Sequence, residues 1–252
     1  EPPVFRPELE EVELAPDEEV EEEQQLLYVS NWRSEVLRTP KINAEDGWLI
    51  YEDKLGLGKA LREQLKAAGA RVVTVRPGES FERLGDREYS VVPGDSESMV
   101  GIFHENEASG WLPTRVLHLW KVDGAATQEL DSFDAYQNFK SEGFDTLLAL
   151  VHALSQHCPD KEVKISVVAD RVVALEGEHK STCWEKASLL GPCRVVPLES
   201  PLISFQLIDI PAAQQDEAGF VDEILAEASL PEPGTLKALR KHARYIETAH
   251  PL

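Results

Sequence analysis

The stretch Trp48–Gly78, WLIYEDKLGLGKALREQLKAAGARVVTVRPG, restricts the possible folds more than any other part of the chain. It reads as a strand (Trp48 to Tyr51), a turn holding Gly56 and Gly58, a helix with apolar positions at Leu57, Leu61, Leu65 and Ala68, and a second strand (Arg71 to Val75). An apolar run, a glycine turn and a period of three to four residues leading into another apolar run open a doubly wound α/β domain.

The turn decides whether such a domain holds a nucleotide. A dinucleotide loop needs backbone N–H groups that can approach a pyrophosphate, and glycine permits the approach. Against the T-G-x-x-x-G-x-G loop of short-chain reductases, the final G-x-G falls on Gly56 and Gly58, but the leading T-G falls on Tyr51 and Glu52. A bulky ring and a carboxylate are expected where phosphates should come. In the G-x-G-x-x-G form the third glycine position is Leu61, which suits helix-to-sheet packing and not close approach. The degenerate loop Tyr51, Glu52, Gly56, Gly58 therefore predicts no cofactor in this segment.

The 252 residues, 42% hydrophobic, are enough for one good-sized core. A formal net charge of −21 argues against nucleic acid and against an anionic membrane surface, both of which require clustered Lys and Arg. Much of that charge is local. Eleven of the 46 acids and one of the 25 bases lie in residues 1–25, leaving 35 against 24 elsewhere. That acidic, proline-containing segment has too few apolar groups to offset ordering entropy and is expected to be an interdomain linker, with the folded domain spanning 26–252. Three cysteines, Cys158, Cys183 and Cys193, without C-x-x-C spacing fit a reducing compartment. With no signal-peptide pattern and no apolar run of spanning length, the expected location is the cytoplasm.

Leu26 to Trp32 has strand character, with Leu27, Val29 and Trp32 available to one face. Tyr89 to Val92 and Arg115 to Trp120 are short apolar runs expected as buried parallel strands, joined by a polar connection. A long helix is expected from Ser132 to Gln156, broken or kinked at Gly143. Val163 to Val168 and Val172 to Leu175 read as two strands around an Ala169-Asp170-Arg171 turn. Glu185 to Leu190 reads as a short helix stopped by Gly191-Pro192. Ser204 to Ile210 reads as a strand, Asp216 to Ala228 as an acidic helix, and a loop with Pro231, Pro233 and Gly234 leads to a basic segment, Lys237 to Thr248.

Tyr136 and Lys140 form a Y-x-x-x-K pair, which a helix places on one face as a reductase requires. The serine such a pair needs about a dozen residues upstream is replaced by Gly124. His152, His157 and Cys158 suggest a metal, yet a five-residue helical step turns the two imidazoles apart. Ser96 in PGDSES is no nucleophile elbow. Arg76 ends the second strand where a 2′-phosphate ligand would sit, and without a phosphate loop it reads as a solvated arginine.

From Gly143 onward the blocks GFDTLLALVHAL, EKASLLGPCRVVPLESPLISFQLIDI and LRKHARYIETAHP, with YVSNW, WLIYEDKLGLGKAL and RVLHLW before them, resemble the structural subdomain of the ketoreductase of modular type I polyketide synthases. The likeness covers about residues 26–250. It implies a truncated Rossmann-like fold, a mostly parallel sheet flanked by helices, that holds no cofactor or catalytic residue. It further implies a partner catalytic subdomain with NADPH, and an acyl carrier protein whose phosphopantetheine arm presents the β-ketoacyl chain. Neighbouring polyketide synthase domains are the remaining implied partners, and Trp32 and Tyr245 are the candidate interface residues. The alternatives are a pseudo-ketoreductase scaffold beside another processing domain, a free-standing NADP-dependent oxidoreductase using Tyr136 and Lys140 with Arg76, and an interaction module for a carrier protein.

The composition of residues 1–25 predicts that limited proteolysis removes them first. Strong amide protection before Gln25 in hydrogen exchange would contradict the linker assignment.

Overall fold

The computed structural model describes residues 28–124, 132–176, 178, 182–212, 219–230, 235–241 and 243–251. The expected linker, the start of the acidic helix at Asp216 and the loop with Pro231, Pro233 and Gly234 lie outside the described residues. Among the described residues ten strands form one sheet: β1 (Tyr28–Val36), β2 (Gly47–Tyr51), β3 (Arg71–Pro77), β4 (Glu82–Gly85), β5 (Glu88–Val91), β6 (Arg115–Lys121), β7 (Val163–Asp170), β8 (Ile203–Ile210), β9 (Thr235–Arg240) and β10 (Ala243–Pro251). Their order is β1-β10-β9-β8-β7-β6-β2-β3-β5-β4. The seven strands from β9 to β5 run parallel, while β4, β10 and β1 add antiparallel edges. The α/β class with a mostly parallel, Rossmann-like sheet is therefore as expected.

Among the described residues six α-helices accompany the sheet: α1 (Leu57–Ala67), α2 (Ser96–Glu107), α3 (Phe133–Lys140), α4 (Thr146–His157), α5 (Leu190–Glu199) and α6 (Phe220–Ser229). Leu57, Leu61 and Leu65 of α1 pack with Ile224 and Leu225 of α6 on one face of the sheet, whereas α2, α4 and α5 cover the other. All five residues of β2 are buried because both its faces are covered: Trp48 and Ile50 join the α1/α6 side, Leu49 and Tyr51 the opposite one. Ala68 falls just past α1 and is exposed. There Gly69 at φ +84° lets its own N–H and that of Ala70 reach the carbonyls of Lys66 and Leu65, closing the helix in a Schellman turn.

Several local readings change. The expected helix from Ser132 to Gln156 is α3, a π turn (Ser141–Asp145) and α4, so the irregularity does fall at Gly143. A Cβ there would stand 3.1 Å from Leu189 Cδ2, so glycine lets the turn pack against the 3₁₀ segment Trp184–Leu189. Gly191-Pro192 opens α5 instead of stopping a helix, because proline's missing N–H is harmless in a first turn. The Val163–Leu175 hairpin is absent: β7 runs straight to Asp170, paired with β8 up to Ile210. The polar connection contains α2, capped by Asp95 accepting from the Ser98 N–H at 2.8 Å, and the Tyr89 run is β5, preceded by β4 in a hairpin. The basic C-terminal segment forms β9 and β10. β1 and β10 pair with each other from Tyr28↔Pro251 to Val36↔Ala243. Val29 and Trp32 differ in parity and share no face; Val29 is exposed and Trp32 packs on the core.

A buried polar row fastens β8, β9, β10 and β1 beneath α6. Gln206 donates to Ser166 Oγ at 2.7 Å and to the Glu227 carbonyl at 2.8 Å, and Lys237 donates to Gln206 Oε1 at 2.9 Å. The Glu227 carboxylate pairs with Lys237 at 2.9 Å and Arg244 at 3.2 Å, all three side chains fully buried, and Arg244 continues to Glu35 at 3.3 Å. Among the described residues no helix is long and apolar enough to cross a membrane.

Removing one member of a buried ion network strands its partners' charges. Glu227→Leu is expected to lower unfolding free energy by about 3–5 kcal/mol in urea denaturation, far more than an equally sized change at exposed Leu198.

Candidate functional site

In an open parallel sheet a ligand binds outside the carboxyl ends of the strands, where the strand order reverses. Here that point lies between β2 and β6, and the β2–α1 turn beside it is the candidate site. Gly56 adopts φ +100°, a left-handed conformation that glycine takes without strain, and starts α1. The N–H groups that a pyrophosphate would approach are already engaged. Asp53 Oδ1 accepts from the Gly58 N–H at 2.5 Å, and Oδ2 from those of Leu55 at 2.8 Å and Leu57 at 3.3 Å. A Cβ on Gly58 would stand 3.2 Å from Asp53 Oδ1 and 3.0 Å from Glu52 Cα. Gly58 thus does permit close approach, but of the chain's own carboxylate.

The flanking positions differ from the sequence reading in one respect. Tyr51 does not stand in the loop: as the last residue of β2 it turns into the core, its hydroxyl 3.1 Å from Met99 Sδ and its ring edge-on to Trp120. Burial raises its phenol pKa far above the usual range. Glu52 lies at the turn and is buried. Arg76 holds one of its oxygens at 2.9 Å and Arg62 the other at 3.3 Å. Arg76, half exposed, is therefore a clamp on Glu52 and not a free solvated cation.

The same pattern recurs along the carboxyl edge. Past β6 and β7, the wholly buried Lys186 ammonium meets Asp170 and donates to Asp123 Oδ1 at 3.0 Å and the Lys121 carbonyl at 2.9 Å. Asp170 also accepts from the Gly124 N–H at 3.0 Å. Lys121 pairs with Glu142 at 2.9 Å, its ammonium 4.1 Å from the Phe139 ring centre; burial lowers its pKa and Glu142 opposes the shift. At the end of β8, Asp209 accepts from the Val172 N–H at 2.5 Å and pairs with Arg240 at 2.6 Å, and Arg240 reaches Glu178 at 2.9 Å. Burial lifts the Asp209 carboxyl to about 6 against the pull of Arg240. Each of these strand ends carries charge answered from within the chain.

The other candidates do not converge. Tyr136 and Lys140 share α3, but Lys140 is tied to Asp145 at 2.7 Å and faces the Phe144 ring. At the position of the required serine, Gly124 offers no hydroxyl, and a Cβ there would meet Leu55 Cδ1 at 3.1 Å. His152 is exposed and bonded to Gln156, while His157 stacks on Phe103 with ring centres 5.1 Å apart. Among the described residues no group of three or more His, Cys, Asp or Glu is placed to hold a metal ion. Burial pushes Cys158 and Cys183 up to about 11 and Cys193 up to about 12, so none is a thiolate nucleophile near neutrality. Ser96 is the first residue of α2. His118, which the sequence did not single out, is fully buried against Tyr51 and Trp120; burial, then Lys121, holds it down to about 3 as a neutral core imidazole. Trp32 and Tyr245 lie on one face of the sheet as diagonal neighbours, Trp32 opposite Glu247 and Tyr245 opposite Ser34, both half-buried.

A family model described as beta-ketoacyl synthase-like, N-terminal, matches residues 46–227, well over half of the chain. No curated protein matches the sequence significantly. Among solved structures, an adenylation, ketoreductase and pseudo-Asub multidomain structure of a keto acid-selecting NRPS module is 23% identical with a TM-score of 0.78, over 92% of this chain and 19% of that one. An N-terminal ketoreductase from a macrolactin assembly line is 14% identical with a TM-score of 0.66, over 90% and 45% of the two chains. An oxidoreductase of the short-chain dehydrogenase/reductase family from Brucella ovis, in complex with a partially ordered NAD, is 14% identical with a TM-score of 0.58, over 78% and 100%. The chain thus spans about a fifth of the first structure and less than half of the second. The fold is that of these proteins, in line with the resemblance read from the sequence.

Asp53→Ala is expected to release the three N–H groups it holds and to cost about 1–2 kcal/mol in urea denaturation. Asp53→Asn, which keeps an acceptor oxygen, should cost less.

Proposed function

The chain belongs to the beta-ketoacyl synthase-like, N-terminal family, and from that premise we propose that it is the non-catalytic structural half of a ketoreductase within a polyketide synthase. The observation that carries the reading is the Asp53 carboxylate seated on the N–H groups of the β2–α1 turn. A dinucleotide entering there would have to displace an anion held by three hydrogen bonds. That step opposes a pyrophosphate. On this reading the internal ion pairs along the carboxyl edge keep the half rigid without a ligand.

The catalytic half, with NADPH, would reduce a β-ketoacyl group carried on the phosphopantetheine arm of an acyl carrier protein, and this chain would brace it. The ketoreductase named in two of the similar structures supports this assignment. Trp32 and Tyr245, exposed in part on one face, are the proposed points of contact with the catalytic half.

Titration calorimetry with NADPH is expected to show no binding to this chain alone, and a low-micromolar dissociation constant would overturn the assignment. Added in trans, the catalytic half should raise this chain's melting temperature by mass action, and Tyr245→Asp should weaken that effect by burying a charge.

A further inference from the structure

The two edges of the sheet are built differently. The β4 edge is four residues long with a register shift between Arg83 and Gly85, features that discourage further strand pairing. The β1 edge is nine residues long in unbroken register with β10, and it contains no proline and no lysine. Among the described residues nothing pairs on its outer side.

The hydrogen bonds of β1 show which of its groups point outward. The Asn31 carbonyl accepts from Thr248 Oγ1 of β10 at 3.3 Å, so Asn31 faces the sheet. The Trp32 N–H donates instead to the Asn31 side-chain carbonyl at 2.7 Å, so it is not spent on β10. In an antiparallel pair inward and outward residues alternate. Ser30, Trp32, Ser34 and Val36 therefore turn their N–H and C=O groups to the open edge. The Asn31 side chain masks Trp32, and the stretch from Ser34 onward stays open. Val36 is 87% exposed at its end, an unusual place for an aliphatic β-branched side chain.

This stretch is complementary to itself. When two copies run antiparallel about Ser34, Arg33 faces Glu35 of the partner subunit, and the reverse pair forms at the same time. Trp32 comes to lie opposite Val36 of the partner subunit. Moving the centre to Trp32 puts Arg33 opposite an asparagine and Glu35 opposite a valine, losing both charge pairs. We propose that the β1 edge pairs with the β1 edge of a second copy of this chain, antiparallel about Ser34, so that two ten-stranded sheets become continuous across a two-fold axis. One short strand pair buries less than a standard interface, and two strongly acidic chains repel, so the association is weak.

Sedimentation of the full 252-residue chain over a range reaching several hundred micromolar tests this. A reversible monomer–dimer equilibrium is expected. Arg33→Glu turns both cross-strand attractions into repulsions and should weaken the dimer by about tenfold, and Ser34→Pro, which deletes an outward N–H at the centre, should abolish it. The melting temperature of each dilute monomer should stay close to that of the parent chain. If Ser34→Pro fails to fold, Arg33→Glu alone decides. A chain that stays monomeric throughout, as it would if residues 1–27 or another segment covered the edge, overturns the proposal. So does a dimer that both folded variants leave unchanged, because it would form through another surface.

Discussion

The rest of this structure depends on the neutralisation of buried carboxylates at the carboxyl ends of a parallel sheet. Those ends receive helix N-termini and unpaired strand groups, and in related folds a ligand completes them. Here Asp53 caps the first helix, and Glu52, Asp170 and Asp209 are each met by a lysine or arginine from a neighbouring segment. A buried carboxylate without such a partner would take up a proton or destabilise the fold. The pairing thus stabilises these strand ends from within the chain, and Asp53 occupies the N–H groups of the β2–α1 turn.

The second polar system, beneath α6, serves the other side of the molecule. Strands β9, β10 and β1 extend the parallel sheet with an antiparallel hairpin and an edge. A register slip in that part would expose Lys237 or Arg244 to apolar surroundings without Glu227. Apolar packing alone would tolerate such slips more readily, so the ion network specifies register at some expense in stability. It also fixes which groups of β1 face inward and which face outward, and with them what the open edge can bind.

Family and fold do not by themselves determine what the β2–α1 turn holds. The Brucella ovis reductase shares the sheet at 14% identity and is described with bound NAD. A shared fold does not carry a shared site, and in this chain the N–H groups of the β2–α1 turn are held by Asp53.

The sequence by itself determined the class of fold, since the apolar runs at Trp48, Arg71, Arg115, Val163 and Ser204 are short, and helical periods follow those at Trp48 and Arg115. It also located the degenerate turn, because glycine spacing is visible in one dimension. Only the tertiary structure decided what fills that turn: Asp53 drew no notice as one more acid in an acidic chain, and its role depends on the backbone path between Glu52 and Gly58. Arg76 read as solvated because its partner Glu52 lies 24 residues away, and the pairing of Lys186, Lys237 and Arg244 went unread because long-range pairing leaves no local pattern. Helix α2 escaped because its buried face mixes Ser98 and Asn106 with Met99, Ile102 and Phe103, weakening the apolar period. Sequence periodicity records which face is buried, but the partners a buried charge will find are set by chain segments that meet only after folding.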